Sequence, residues 1–174
     1  GVGRNALQGD AAFVDVLEQM GAVITRGDRY TEASLSAGKV LKGITLDCTK
    51  IPDAAMTLVP MALKTEGAVR LTGIASWRVK ETDRIAALRT ELKKLGYLIE
   101  EENDSVLMWN GERCEPEETP VIATYEDHRM AMAFAPAVIS CPNLLIADPQ
   151  VVSKSYPGYW EDLKQAGFQV INEG

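Results

Sequence analysis

The feature that most limits what this chain can fold into is an internal repeat. An amphipathic helix pattern closed by glycine and followed by a short apolar run occurs three times: "FVDVLEQMGAVIT", "IAALRTELKKLGYLIE" and "YWEDLKQAGFQVI". The glycines Gly21, Gly96 and Gly167 stand where a helix end favours a residue tolerant of left-handed geometry. Some 31 or 32 residues after the first two come "PDAAMTLVPMAL" and "EDHRMAMAFAPAV", each opened by an acid, which makes Asp53 and Asp127 repeat mates at a period of about 74 residues. Strand-like runs, "AVRLTGI" and "NLLIAD", follow these segments.

The Ala/Met-rich segments are apolar nearly all round, which predicts helices buried on every side. Runs such as "GITLDC" and "VLMWNG" mix polar with apolar positions, as strands of a sheet with one wet face do. The expected fold class is therefore α/β (α+β), with helices inside and sheets outside. The third repeat stops after its helix and one strand. The stretch "NGERCEPEETP" reads as a surface loop. The start "GVGRNALQGD" lacks Met and runs into a helix within about ten residues, so the chain is expected to be part of something longer.

With 46% hydrophobic residues, the 174-residue chain has the means to bury a core. A formal charge of -7 argues against nucleic-acid or membrane-surface partners, which need a surplus of Lys and Arg. Cys48, Cys114 and Cys141 form neither a zinc pattern nor a disulfide framework. No apolar run reaches the roughly 18 residues of a transmembrane span, and a cytoplasmic location is expected. An anionic ligand would need a local cluster of cations.

Two such clusters stand out. "WRVKETDRI" places Lys80, Glu81 and Arg84 three and four apart, a spacing that puts them near one helix face. Cations at a helix N-terminus oppose the macrodipole unless an anion binds there. "TYEDHRMAMAF" offers Asp127 as a cap, with His128 and the cation Arg129 in the first turn. "IPDAAMT" puts Asp53 at a helix entrance, and "VVSKSYPGYW" carries Lys154 in a short loop. Each of these taken singly has an ordinary explanation as a helix cap or a solvated charge.

In this order and spacing, "IPDAAMT", "WRVKETDR", "TYEDHRMAMAF" and "SKSYPGYW" resemble the C-terminal part of the 3-phosphoshikimate 1-carboxyvinyltransferase (5-enolpyruvylshikimate-3-phosphate synthase) family. The resemblance runs from "GRNALQGD" to the last helix. It implies one domain, residues 1–174, forming the C-terminal lobe of a two-lobed enolpyruvyl transferase. That lobe is an inside-out barrel of repeated βαβαββ units, here about two and a half of them, with the N-terminal lobe missing. The implied reaction moves a carboxyvinyl group from phosphoenolpyruvate to the 5-hydroxyl of shikimate 3-phosphate and releases phosphate. It needs no metal or organic cofactor.

Carried over residue by residue, the resemblance makes Glu81 the acid that protonates the methylene carbon. Asp53 contacts the substrate hydroxyl and takes its proton. Lys80 is a ligand of shikimate 3-phosphate, while Arg84, Arg129 and Lys154 bind phosphoenolpyruvate. His128 and Asp127 position Arg129 and the substrate. Ser76 replaces an Asn frequent in bacterial relatives, which shortens an amide contact or leaves it to water. The shikimate-phosphate binding residues of the N-terminal lobe are absent, so the chain alone is expected to be inactive. Two other readings stay open: an enolpyruvyl transferase acting on a UDP-sugar, and a non-catalytic module that binds an anionic partner.

Overall fold

A computed structural model describes residues 9–172 together with Gly3, Asn5 and Ala6. Arg4, Leu7 and Gln8 of the opening "GRNALQGD" lie outside the described residues. The repeat is visible in the element order. The first unit contains α1 (Phe13–Gln19), the hairpin β1 (Val23–Arg26) and β2 (Thr31–Ser34), and the short strand β3 (Leu41–Lys42). After it come β4 (Thr45–Asp47), α2 (Pro52–Ala55), α3 (Leu58–Met61), β5 (Thr65–Glu66) and β6 (Val69–Thr72). The second unit contains α4 (Arg84–Lys94), the hairpin β7 (Glu100–Glu102) and β8 (Val106–Trp109), then β9 (Val121–Ile122), α5 (His128–Phe134) and β10 (Leu145–Ile146). A third unit begins with α6 (Tyr159–Gln165).

Within each unit the two strands that flank the buried helix pair in parallel. Leu46 lies opposite Leu71 on β4 and β6, and Ile122 opposite Ile146 on β9 and β10. Parallel neighbours need a crossover, and the buried helices supply it. The hairpin β7–β8 extends the first pair into a four-stranded sheet ordered β4-β6-β8-β7.

The three helix ends are built alike. Gly21, Gly96 and Gly167 have φ of 101°, 86° and 98°. In each case the next residue's N–H reaches back into the helix: Ala22 to Leu17, Tyr97 to Leu92 and Phe168 to Leu163, at 2.9, 3.0 and 3.0 Å. This is the six-to-one bond of a left-handed C-terminal cap, which a Cβ would strain.

The Ala/Met-rich segments are largely buried, with Pro136 of the second exposed. Ala55, Met56, Leu58 and Val59 of the first and Met130, Ala131, Ala133 and Phe134 of the second are core residues. Each large apolar side chain buried there contributes about 1.5–3 kcal/mol. The first segment is broken rather than one helix. Pro60 lacks an N–H and its ring crowds the carbonyl four residues back; the Met56 carbonyl instead accepts from Val59 N at 3.3 Å.

Two expectations need correction. Residues 168–172 form no assigned strand, because an extended segment needs a ladder partner and none of the described strands pairs with it. Lys80 and Glu81 are not on a helix either: α4 begins at Arg84 with Asp83 as its cap, accepting from Ala86 N at 3.1 Å. They occupy the turn between the 3-10 segment Ala75–Val79 and α4.

Candidate active site

Every charged candidate follows the C-terminal end of a parallel strand. Asp53 comes after β4; Lys80, Glu81 and Arg84 after β6; Asp127, His128 and Arg129 after β9; Lys154 after β10. Loops and helix entrances collect at this end, the usual position of a site in an open α/β sheet. The repeat acts here too: Lys80 and Lys154 are 74 positions apart, the same interval as Asp53 and Asp127. The sequence reading paired the two acids and missed that the two lysines match in the same way.

Arg84 is the hub. Its side chain is 1% exposed, and three carboxylates surround it. Nε donates to Asp127 Oδ2 at 2.7 Å, Nη1 to Asp53 Oδ1 at 2.8 Å, and Nη2 to Glu81 Oε2 at 3.0 Å. Burial disfavours the guanidinium charge, but the Asp127 and Asp53 carboxylates outweigh it and raise the Arg84 pKa. Arg84 thus holds three acids together from the start of α4.

The other cations ring the outside of this hub. Arg129 Nη2 lies 3.3 Å from Asp53 Oδ2, Lys80 Nζ 3.6 Å from Asp53 Oδ1, and Lys154 Nζ 3.9 Å from Glu81 Oε1. Partial burial pushes the Asp53 carboxyl up, yet the hydrogen bond from Arg84 and the charges of Arg129 and Lys80 hold it below the usual aspartate value. Asp53 is therefore ionised at neutral pH. It sits at the second helical position behind Pro52 and does not cap α2, leaving its oxygens to the cations.

Asp127 does cap α5, accepting from Arg129 N at 2.9 Å. His128, next to it, has a buried Nδ1 without a hydrogen-bond partner. Burial lowers its pKa, Asp127 opposing and Arg129 adding to the effect, so the ring is neutral at pH 7. Ser76 lies exposed on the 3-10 segment. Among the described residues no group of three His, Cys, Asp or Glu side chains has metal-holding geometry.

Two supporting residues escaped the sequence reading. Trp77, fully buried, donates Nε1–H to the Pro52 carbonyl at 2.8 Å and so ties the Lys80–Glu81 turn to the entrance of α2. Glu91 of α4, also fully buried, accepts from Ala123 N and the Tyr125 hydroxyl. The available signal was an acid falling among Leu88, Leu92 and Leu95 on the apolar face of α4.

Buried helices enclosed by sheets, with acids and cations gathered at the helix entrances, place the chain in the enolpyruvyl transferase fold. An EPSP synthase from Acinetobacter baumannii superposes with a TM-score of 0.68 at 25% identity, over 92% of this chain and 40% of that one. The enolpyruvyl transferase NikO from Streptomyces tendae shares the fold with a TM-score of 0.65 at 18% identity, over 90% and 35%. The profile of EPSP synthase (3-phosphoshikimate 1-carboxyvinyltransferase) matches residues 1–163, and the chain belongs to that family. A Bacteroides fragilis 3-phosphoshikimate 1-carboxyvinyltransferase is 48% identical over 98% of the chain, and one from Laribacter hongkongensis 51% over 92%. The chain spans 41% and 37% of the lengths of these two relatives.

Proposed function

We propose that this chain is the C-terminal lobe of a transferase that moves the enolpyruvyl group of phosphoenolpyruvate to the 5-hydroxyl of shikimate 3-phosphate, working in the cytoplasm. The observation that carries the reading is the single cluster of Asp53, Lys80, Glu81, Arg84, Asp127, Arg129 and Lys154, joined by contacts of 2.7–3.9 Å at one end of the lobe. Four cations face three carboxylates there, leaving a net positive patch on an acidic protein. Phosphoenolpyruvate brings a carboxylate and a phosphate, which guanidinium and ammonium groups grip well.

The chemistry is an addition followed by an elimination. The substrate hydroxyl oxygen bonds to C2 of phosphoenolpyruvate while Glu81 delivers a proton to the methylene carbon. Asp53, ionised, accepts the hydroxyl proton. The methyl group so formed then returns a proton to the Glu81 carboxylate, the carbon–oxygen bond to phosphate breaks, and the double bond returns as phosphate departs. Arg84, Arg129 and Lys154 bind phosphoenolpyruvate, Lys80 binds shikimate 3-phosphate, and Lys154 assists the departing phosphate. Arg84 keeps Asp53, Glu81 and Asp127 in register, while His128 packs beside Arg129.

The cluster is read as one wall of a site. A groove of about 600 Å³ lined by Leu144, Leu145, Phe168 and Ile171 contains none of its residues. An opposing lobe that excludes water and completes substrate binding is therefore part of the proposal. The test is phosphate release from phosphoenolpyruvate and shikimate 3-phosphate, by the chain alone and after adding the N-terminal lobe of a family member. Turnover only on recombination supports the reading. Folded, associated halves without turnover overturn it.

A further inference from the structure

Glu91 lies on α4 seven residues beyond Arg84, its carboxylate fully buried. A carboxylate kept from water must be met by donors, and here they come from the extended run that leads into the site. Oε2 accepts from Ala123 N at 3.0 Å and Oε1 from the Tyr125 hydroxyl at 2.6 Å. Lys94, bonded to Glu91 Oε2 at 2.7 Å, also donates to the Val121 carbonyl at 2.7 Å. Residues 121, 123 and 125 are thus fastened to α4 in alternation, through side chains of one turn.

The next residues explain why such a fastening is needed. Tyr125 and Glu126 have φ of 53° and 58°, two consecutive non-glycine residues in the left-handed region. Such a pair persists only where its surroundings over-determine it. On the far side Asp127 is held by Arg84, on the same helix about two turns earlier. Burial, and then the bond to Glu91, push the Tyr125 phenol up to about 12, so it remains a donor at any physiological pH.

We propose that Glu91 is a positioning residue: with Arg84 it clasps the Val121–Asp127 run to α4 and so fixes the entrance of α5, from which Arg129 reaches Asp53. The catalytic consequence rests on the function proposed above; the positioning itself does not. A side chain that merely filled the core at this place would be apolar and would leave the segment to its own conformation.

Two readouts on Glu91→Gln and Tyr125→Phe separate these ideas. The first is amide hydrogen exchange on the 174-residue chain. Exchange at Ala123 and at residues 125–129 rises tenfold or more in both variants, while the amides of Leu88 and Leu92 stay unchanged. Tyr125→Phe removes one hydroxyl from a half-exposed ring, which guards against simple misfolding. Wild-type exchange across 123–129 in both variants overturns the proposal.

The second readout is steady-state kinetics after recombination with the N-terminal lobe. The KM for phosphoenolpyruvate rises three- to tenfold in Tyr125→Phe and further in Glu91→Gln, with a smaller change for shikimate 3-phosphate. Equal loss for both substrates, with exchange raised at Leu88 and Leu92 as well, would mean a general stability effect and also sinks the idea. If the wild-type pair is inactive, the functional reading has failed, and the exchange measurement still decides the positioning.

Discussion

Arg84 and Asp127, 43 residues apart in sequence, form a buried ion pair with Nε to Oδ2 at 2.7 Å and side chains 1% and 0% exposed. This contact lies within the second unit, and the same guanidinium reaches the first unit's acid through Nη1 to Asp53 Oδ1 at 2.8 Å. Removing one partner of such a pair strands a charge away from water. Arg84→Met should therefore destabilise the fold by about 3–5 kcal/mol, seen as a lowered urea midpoint. Asp127→Asn should be milder, because an amide oxygen still accepts from Arg129 N. A loss under about 1 kcal/mol for Arg84→Met would show that these buried contacts do not hold the fold together.

His128, the only histidine, gives the fold a pH dependence whose sign can be worked out. Burial favours the neutral ring over the charged one, and the net influence of Asp127, Arg129, Glu81 and Lys154 does not reverse this, so the folded pKa lies below 6.5. The stabilisation is complete above the unfolded value near 6.5 and fades as pH falls through the folded value. Imidazole proton resonances should titrate below 6.5, and stability should decline over that window. His128→Gln should flatten the decline. A midpoint above 6.5 would contradict the burial argument.

Trp77 couples the two halves of the site through one hydrogen bond to the Pro52 carbonyl. Trp77→Phe deletes the donor, leaves that carbonyl unmet and opens space beside a fully buried ring. Together these should cost about 2–4 kcal/mol. The loss should extend to ligand affinity, since the Lys80–Glu81 turn and the entrance of α2 separate. Unchanged urea unfolding would show that the ring tolerates replacement and that the bond contributes little.

How much of this was legible in the sequence follows from the range of each interaction. The three glycine-ended helices and the two all-apolar segments are local patterns, and the structure reproduces them. The break at Pro60 was readable from the same local rule but was passed over in favour of one long apolar segment. The convergence of Asp53, Glu81, Asp127, Arg129 and Lys154 was expected from the resemblance and the repeat, because a duplicated unit brings equivalent loops to one end. The carboxylates around Arg84 were not legible: whether a cation faces solvent or three acids depends on contacts across 31 and 43 residues. Glu91 and Trp77 were hidden for the same reason, as their partners lie 32–34 and 25 positions away. Lys80 and Glu81 were misplaced on a helix because Asp83, the true cap, competes with several other polar residues in "VKETDR".

Lys154 provides the sharpest contrast with Arg84, because the two cations touch the same acid from opposite environments. Its side chain is 64% exposed and lies 3.9 Å from Glu81 Oε1, at the loose end of an ion-pair distance. An exposed pair of this kind contributes about 0–1 kcal/mol, so Lys154→Ala should unfold at nearly the wild-type urea concentration. If Lys154 instead exists to meet an anion, the loss appears in binding: one hydrogen bond to a charged group is worth about 1.5–3 kcal/mol, or roughly 10- to 100-fold in affinity. The measurement is the KM for phosphoenolpyruvate after recombination with the N-terminal lobe, beside a urea titration of the same variant. A raised KM with unchanged stability assigns Lys154 to the ligand. An unchanged KM removes it from the binding set and leaves Arg129 as the cation with the better claim, being held against Asp53 at 3.3 Å with 29% of its side chain open to solvent.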